Sequence, residues 1–221
     1  MNRFGLACEG ITDHITLENI LCGYFDDEPD LDEAIIQLQP SLDETDKVQS
    51  GFGGWEMLLE YLLSTRFRDD VLNVEYVVVQ LDTDIAEHVN FDVAYRDDNG
   101  QALTVEHLIE AVINRLIMVI DKGEAGFYAA YQHKIIFAIC VHSLECWLYA
   151  YYNTKRLKKP KVTGCGKALN YSFGVKGFDK PKDPELYRQH STFFLTRKNI
   201  NKVAKKAPSF NYFIQRLGEI T

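Results

Sequence analysis

The chain has 221 residues, 46% of them hydrophobic and 25% charged, with a formal net charge of −8, a make-up that excludes a disordered tail or a fibrous repeat. No apolar run approaches the roughly 18 residues that span a bilayer, and MNRFGLACEG leads into strand-like sequence without a signal-peptide core; the reading is a cytoplasmic protein with no membrane partner. Residues 155–221 hold 16 Lys and Arg against four acids, giving +12, while residues 1–154 carry −20. Such a division suits either a polyanion-binding face beside an acidic body or two halves that neutralise each other.

RFGLACEG (3–10) predicts a short buried strand closing on Glu9-Gly10. Thr12 is a good N-cap, and Ile15, Leu17, Ile20, Leu21 and Tyr24 follow at helical spacing. The acidic run 26–33 reads as a solvated loop, and AIIQLQP (34–40) as a strand stopped by Pro40. GFGG (51–54) predicts a turn, and residues 55–67 a single helix with Trp55, Leu58, Leu59, Leu62 and Leu63 on one face. VEYVVVQL (74–81) is the clearest strand. Residues 86–101 look irregular, with a turn at Asp98-Asn99-Gly100, and 103–121 predicts an amphipathic helix. KIIFAIC (134–140) predicts another strand, and a helix starts at Ser143. Beyond Lys155 the chain is rich in Lys, Gly and Pro to about residue 190, then shows helical patterns at 197–206 and 209–218.

Strands and helices alternate, and the strands are apolar throughout, which predicts an α/β fold with a mainly parallel four-stranded sheet flanked by helices. Residues 1–154 form the expected acidic core; residues 155–221 form a basic C-terminal extension packed on it. Cys8, Cys22, Cys140, Cys146 and Cys165 contain no C-x-x-C pair, so they are read as free thiols rather than zinc ligands.

In an open parallel sheet ligands bind beyond the carboxyl ends of the strands. Glu9 closes the first strand, Asp82 and Asp84 the third, Glu145 opens the helix after the fourth, and Asp13 lies in the first turn of the first helix. Asp13 and Glu145 equally suit a helix dipole, and Asp82 or Asp84 a turn. Taken together, clustered carboxylates require a counter-charge, and oxygen-only ligands select Mg²⁺ or Mn²⁺. Such ions bridge to phosphate oxygens, so the expected substrate is a phosphoryl compound, and two ions together would clamp the attacking and leaving oxygens of a phosphodiester.

ACEGITD (7–13), VVVQLDTD (77–84) and HSLECWLYA (142–150) together resemble a Toprim domain, the metal-binding fold of topoisomerases, primases and OLD-type nucleases. Over roughly residues 3–153 the layout is similar to small stand-alone Toprim-like proteins of bacterial phage-defence loci, in which E-G-x-T-D/E and E-x-W-L recur. The resemblance implies a Rossmannoid core with Glu9, Asp82, Asp84 and Glu145 as metal ligands, Glu9 also as a candidate base, and Asp13 assisting. It implies a metal-dependent nuclease acting on DNA or RNA. OLD-type nucleases carry an ATPase in the same chain; no G-x-x-x-x-G-K-[ST] loop occurs here, so an ATPase partner would be a separate protein.

Lys155, Arg156, Lys158, Lys159, Lys167, Arg197, Lys198, Lys202, Lys205 and Lys206 are the candidate nucleic-acid contacts, and Tyr151, Tyr152, Tyr171 and Phe173 candidate stacking platforms or core. Lys134 opens the fourth strand and belongs at the far end of the sheet; His142, near Glu145, is a candidate metal or phosphate contact or a structural histidine. The competing functional readings are a non-catalytic interaction subunit assembling with itself or an ATPase, and another phosphoryl-transfer enzyme.

Overall fold

A computed structural model describes residues 3–40, 54–154 and 160–220. Four strands, β1 (Phe4–Ala7), β2 (Ile35–Gln39), β3 (Tyr76–Asp82) and β4 (Ile135–Cys140), form one sheet in the order β2-β1-β3-β4, with every pair parallel. The α/β parallel sheet is as the sequence predicts. The strand order reverses at β1, whose neighbours are β2 on one side and β3 on the other, so the crevice at the carboxyl ends of β1 and β3 is the topological switch point.

The apolar strand sequences are explained by burial on both faces. Phe4, Leu6, Val78, Ile136, Ala138 and Cys140 point into one core, with α1 (Ile11–Tyr24), α6 (Glu145–Tyr152) and the C-terminal helices. Ala7, Val77, Val79, Leu81, Ile135, Phe137 and Ile139 point into the other. That core is covered by α2 (Gly54–Leu63), α3 (Thr65–Asn73) and α4 (Val105–Gly123), with α5 (Phe127–Tyr131) leading back to β4. In α4, Leu108, Ile109, Val112, Leu116, Val119 and Ile120 make the buried stripe, and Thr104 caps the helix by accepting from the His107 amide at 3.2 Å.

Three local expectations are corrected. Thr12 does not cap the first helix: α1 begins at Ile11 with Gly10 at its N-cap, and Thr12 lies inside the first turn. Residues 55–67 are not one helix: Ser64 leaves the helical conformation and accepts from the Phe67 amide at 3.3 Å, starting α3. Its hydroxyl is worth more as a cap than in a helix interior. The Lys/Gly/Pro-rich stretch holds two helices, α7 (Cys165–Phe173) and α8 (Pro184–His190), ahead of α9 (Arg197–Ala204) and α10 (Pro208–Leu217). Their side chains Leu169, Tyr187, Ile200, Val203, Phe210 and Phe213 share the first core with β1 and α1.

The free-thiol reading fails for two of the five cysteines. Cys146 of α6 and Cys165 of α7 form a disulfide, while Cys8, Cys22 and Cys140 remain free. Their 19-residue separation carries no motif, so only the packing of α6 against α7 brings them together. No described helix is long and apolar enough to cross a membrane.

Candidate functional site

Glu9 leaves β1 as the backbone turns into α1. Its carbonyl is packed so closely by the start of α2 that a Cβ at Gly54 would lie 2.3 Å from it, so this position requires glycine. Gln80, inside β3, bridges the two strand ends: its Oε1 accepts from the Glu9 amide at 3.1 Å, and its Nε2 donates to Asp82 Oδ1 at 3.0 Å. The Leu144 amide also donates to Asp82 Oδ1, at 3.0 Å, tying β3 to the segment that opens α6. Two residues beyond the strand end the Asp84 amide donates to the His142 carbonyl at 3.0 Å. His142 holds a positive φ of 30° and stacks on Tyr95 at 5.5 Å. Three of the four strand ends are thus bound to one another through backbone amides and one buried glutamine.

Glu9, Asp82, Asp84 and Glu145 line one pocket of about 270 Å³, together with His142, Ser143 and residues of the C-terminal segment. Asp13 lies buried beside it. The residue that organises these acids is Lys182, absent from the sequence-based site. Its Nζ lies 2.9 Å from Glu145 Oε1, 3.8 Å from Asp82 Oδ2 and 3.9 Å from Asp13 Oδ1. Tyr187, fully buried in α8, donates its hydroxyl to the same Glu145 oxygen. The loop that carries Lys182 is anchored by α7. The Phe178 amide donates to Asn170 Oδ1 at 2.9 Å, and a Cβ at Gly166 would lie 2.1 Å from the Phe178 carbonyl.

Burial dominates the electrostatics. It pushes the Glu9 carboxyl up to about 7, with Asp13 adding repulsion and Lys182 opposing. It pushes Asp13 up to about 6 and Asp82 well above the usual carboxylate range, each again opposed by Lys182. At Glu145 burial acts in the same sense but is outweighed by Lys182, Ser143 and Tyr187, which hold this carboxyl below its ordinary value. Burial works against the Lys182 ammonium, yet Asp13, Asp82 and Glu145 together raise it well above the ordinary lysine value.

Among the described residues no group of three or more His, Cys, Asp or Glu is disposed to hold a metal ion as the side chains stand. The donor chemistry nevertheless fits a hard cation. Glu9 Oε2 and Asp13 Oδ1 are buried carboxylate oxygens without a hydrogen-bond partner, the atoms such an ion binds.

The basic candidates scatter. Lys167 lines the pocket, as does Lys180, which sequence reasoning passed over. Lys198, Lys202 and Lys205 are exposed on or just beyond α9, with Lys202 Nζ 4.2 Å over the Tyr151 ring. Arg197 and Lys206 have structural employment. The Arg197 guanidinium lies 3.5 Å over Tyr24 and donates to its carbonyl. Lys206 caps the end of α6 through the carbonyls of Ala150 (3.1 Å) and Asn153 (2.8 Å). Lys155, Arg156, Lys158 and Lys159 lie outside the described residues. Tyr151 stacks on Phe193 at 3.7 Å, Tyr152 packs edge-on against Phe173, and Tyr171 alone of the four projects into solvent, 92% exposed. Trp147 anchors the core, donating to Ser209 Oγ at 2.9 Å and stacking on Phe213. Lys134 sits at the far end of the sheet, bonded to the Val71 carbonyl.

Nothing in the sequence marked Lys182, Gln80 or Tyr187 as part of the site; the excess of acids signalled only that some cation was needed. No protein-family model, curated protein or solved structure matches the chain.

Proposed function

We propose that the protein is a Mg²⁺- or Mn²⁺-dependent nuclease of the Toprim kind, hydrolysing phosphodiesters of DNA or RNA, and a component of bacterial anti-phage defence. The observation that carries the reading is the gathering of Glu9, Asp82, Asp84 and Glu145 in one pocket at the switch point of a parallel sheet, with buried carboxylate oxygens that lack a hydrogen-bond donor on Glu9 and on neighbouring Asp13. Asp82, Asp84, Glu9 and Glu145 would hold the ion, with Asp13 beside them. When bound, it supplies Lewis acidity and a water of lowered pKa. Glu9, whose buried Oε2 has no hydrogen-bond donor, is also the candidate to accept a proton from an attacking water. Lys167 and Lys180, at the same pocket, provide positive charge for a phosphate backbone.

Asp84 is the position for the test, because it is exposed and its side chain has no part in the hydrogen bonds that join the strand ends. Asp84→Asn should leave folding intact and reduce Mn²⁺-dependent cleavage of labelled DNA and RNA by at least about 100-fold. Undiminished cleavage would sink the assignment.

Lys182 favours a second reading, in which it satisfies the acids permanently, the cluster fastens the C-terminal segment to the core, and the protein is an interaction subunit for an ATPase or for its own copies. In that case Mn²⁺ would leave the thermal midpoint of the wild-type protein unchanged.

A further inference from the structure

We infer that Lys182 is a tethered counter-ion that competes with the divalent cation: it neutralises Asp13, Asp82 and Glu145 while no metal is bound and swings away from them when a metal enters. The inference rests on the metal reading above and assigns Lys182 a role within it.

The contacts are those of a shared charge rather than a fixed ligand. Only Glu145, at 2.9 Å, is within hydrogen-bond range of Nζ; Asp82 and Asp13, at 3.8 and 3.9 Å, are held by charge alone. One positive charge faces three carboxylates, with Glu9 and Asp84 in the same pocket, so the cluster has room for more positive charge than Lys182 supplies. Asp13 Oδ1 is buried and has no hydrogen-bond donor, only this distant ammonium. A metal bound to Asp13 Oδ1, Asp82 Oδ2 and Glu145 Oε1 would take the oxygens that hold the Lys182 ammonium and repel it from less than 4 Å away, so the two compete for the same part of the cluster.

The tether permits exchange without refolding. The Asp183 amide donates to the Gly177 carbonyl at 2.9 Å, and Gly166 and Asn170 fix the loop at Phe178. The backbone is therefore held while the four-carbon stem of lysine remains free to turn. The Lys182 side chain is 23% exposed and reaches the pocket shared with Lys167 and Lys180, where the released ammonium would meet an incoming phosphate.

Two measurements on the full chain test this, neither requiring activity. In calorimetric titration with MnCl₂, Lys182→Gln should bind at least about tenfold more tightly than the wild type. In the wild-type protein, amine acetylation read by mass spectrometry should increase severalfold at Lys182 on adding saturating MnCl₂, because the ammonium leaves its carboxylates. The second measurement stands even where Lys182→Gln does not fold. Equal or weaker Mn²⁺ binding by a folded Lys182→Gln protein, or acetylation at Lys182 that stays level or falls, would overturn the tethered counter-ion alone. Failure of both proteins to bind Mn²⁺ would overturn the metal reading and this inference with it.

Discussion

Asp82 is buried and accepts from Gln80 and the Leu144 amide, whereas Asp84, two residues on, is exposed and engages the fold through its backbone. The D-x-D spacing shows both carboxylates but not this difference, which arises because β3 ends at Asp82 and the chain then turns into a 3₁₀ segment. Asp82→Ala should cost about 1–3 kcal/mol in urea denaturation, because two buried donors lose their acceptor. Asp84→Ala should stay within about 0.5 kcal/mol. Loss of activity in an Asp82 variant therefore mixes folding with chemistry, and loss in an Asp84 variant does not. Tyr187→Phe removes the hydroxyl that shares Glu145 Oε1 with Lys182. It should lower stability by about 1–2 kcal/mol by the same assay.

The strands and the long helix α4 were legible because their signal is local: apolar runs and a 3–4-residue stripe reflect the faces each element buries. The elements near the site were less so. Helices α7 and α8 lie in a Lys/Gly/Pro-rich stretch with few apolar residues, and their stability comes from single anchors such as Leu169 and Tyr187 that reach the core. The Cys146–Cys165 disulfide joins the helix that carries Glu145 to the helix that anchors the Lys182 loop. Replacing both cysteines by serine should lower stability by about 3 kcal/mol, as expected for a loop of this length. Denaturation of wild type with and without a dithiol reductant, beside the double variant, checks it. Gly166→Ala sets a Cβ against the Phe178 carbonyl and should cost about 2–4 kcal/mol.

At the scale of the whole molecule the acid cluster couples folding to pH. Glu9 and Asp13 have folded values of about 7 and about 6, above the ordinary 4.5 and 3.8, so the folded protein binds more protons than the unfolded chain between those limits. Their contribution is fully present below about pH 4 and is lost as pH rises through 6 to 7. Without metal, the urea midpoint should therefore fall between pH 5 and pH 7.5, by the equivalent of roughly 1–3 kcal/mol, and Mn²⁺ should restore it at the upper end. A midpoint that rises across this range would contradict the buried, crowded state of these two acids. The division between a −20 body and a +12 C-terminal segment is met in part inside the molecule, where Lys182 enters the acids of the core; Lys198, Lys202 and Lys205 remain outward. Sequence by itself determined the parallel α/β sheet and placed acids at its carboxyl ends, since apolar runs and the alternation of strand with helix are read from neighbouring residues. Only the tertiary structure decided that Lys182, Tyr187 and Gln80 belong with those acids, because Tyr187–Glu145, Gln80–Glu9 and Lys182–Asp13, which lie 42, 71 and 169 positions apart, meet through strand pairing and helix packing, not through spacing along the chain.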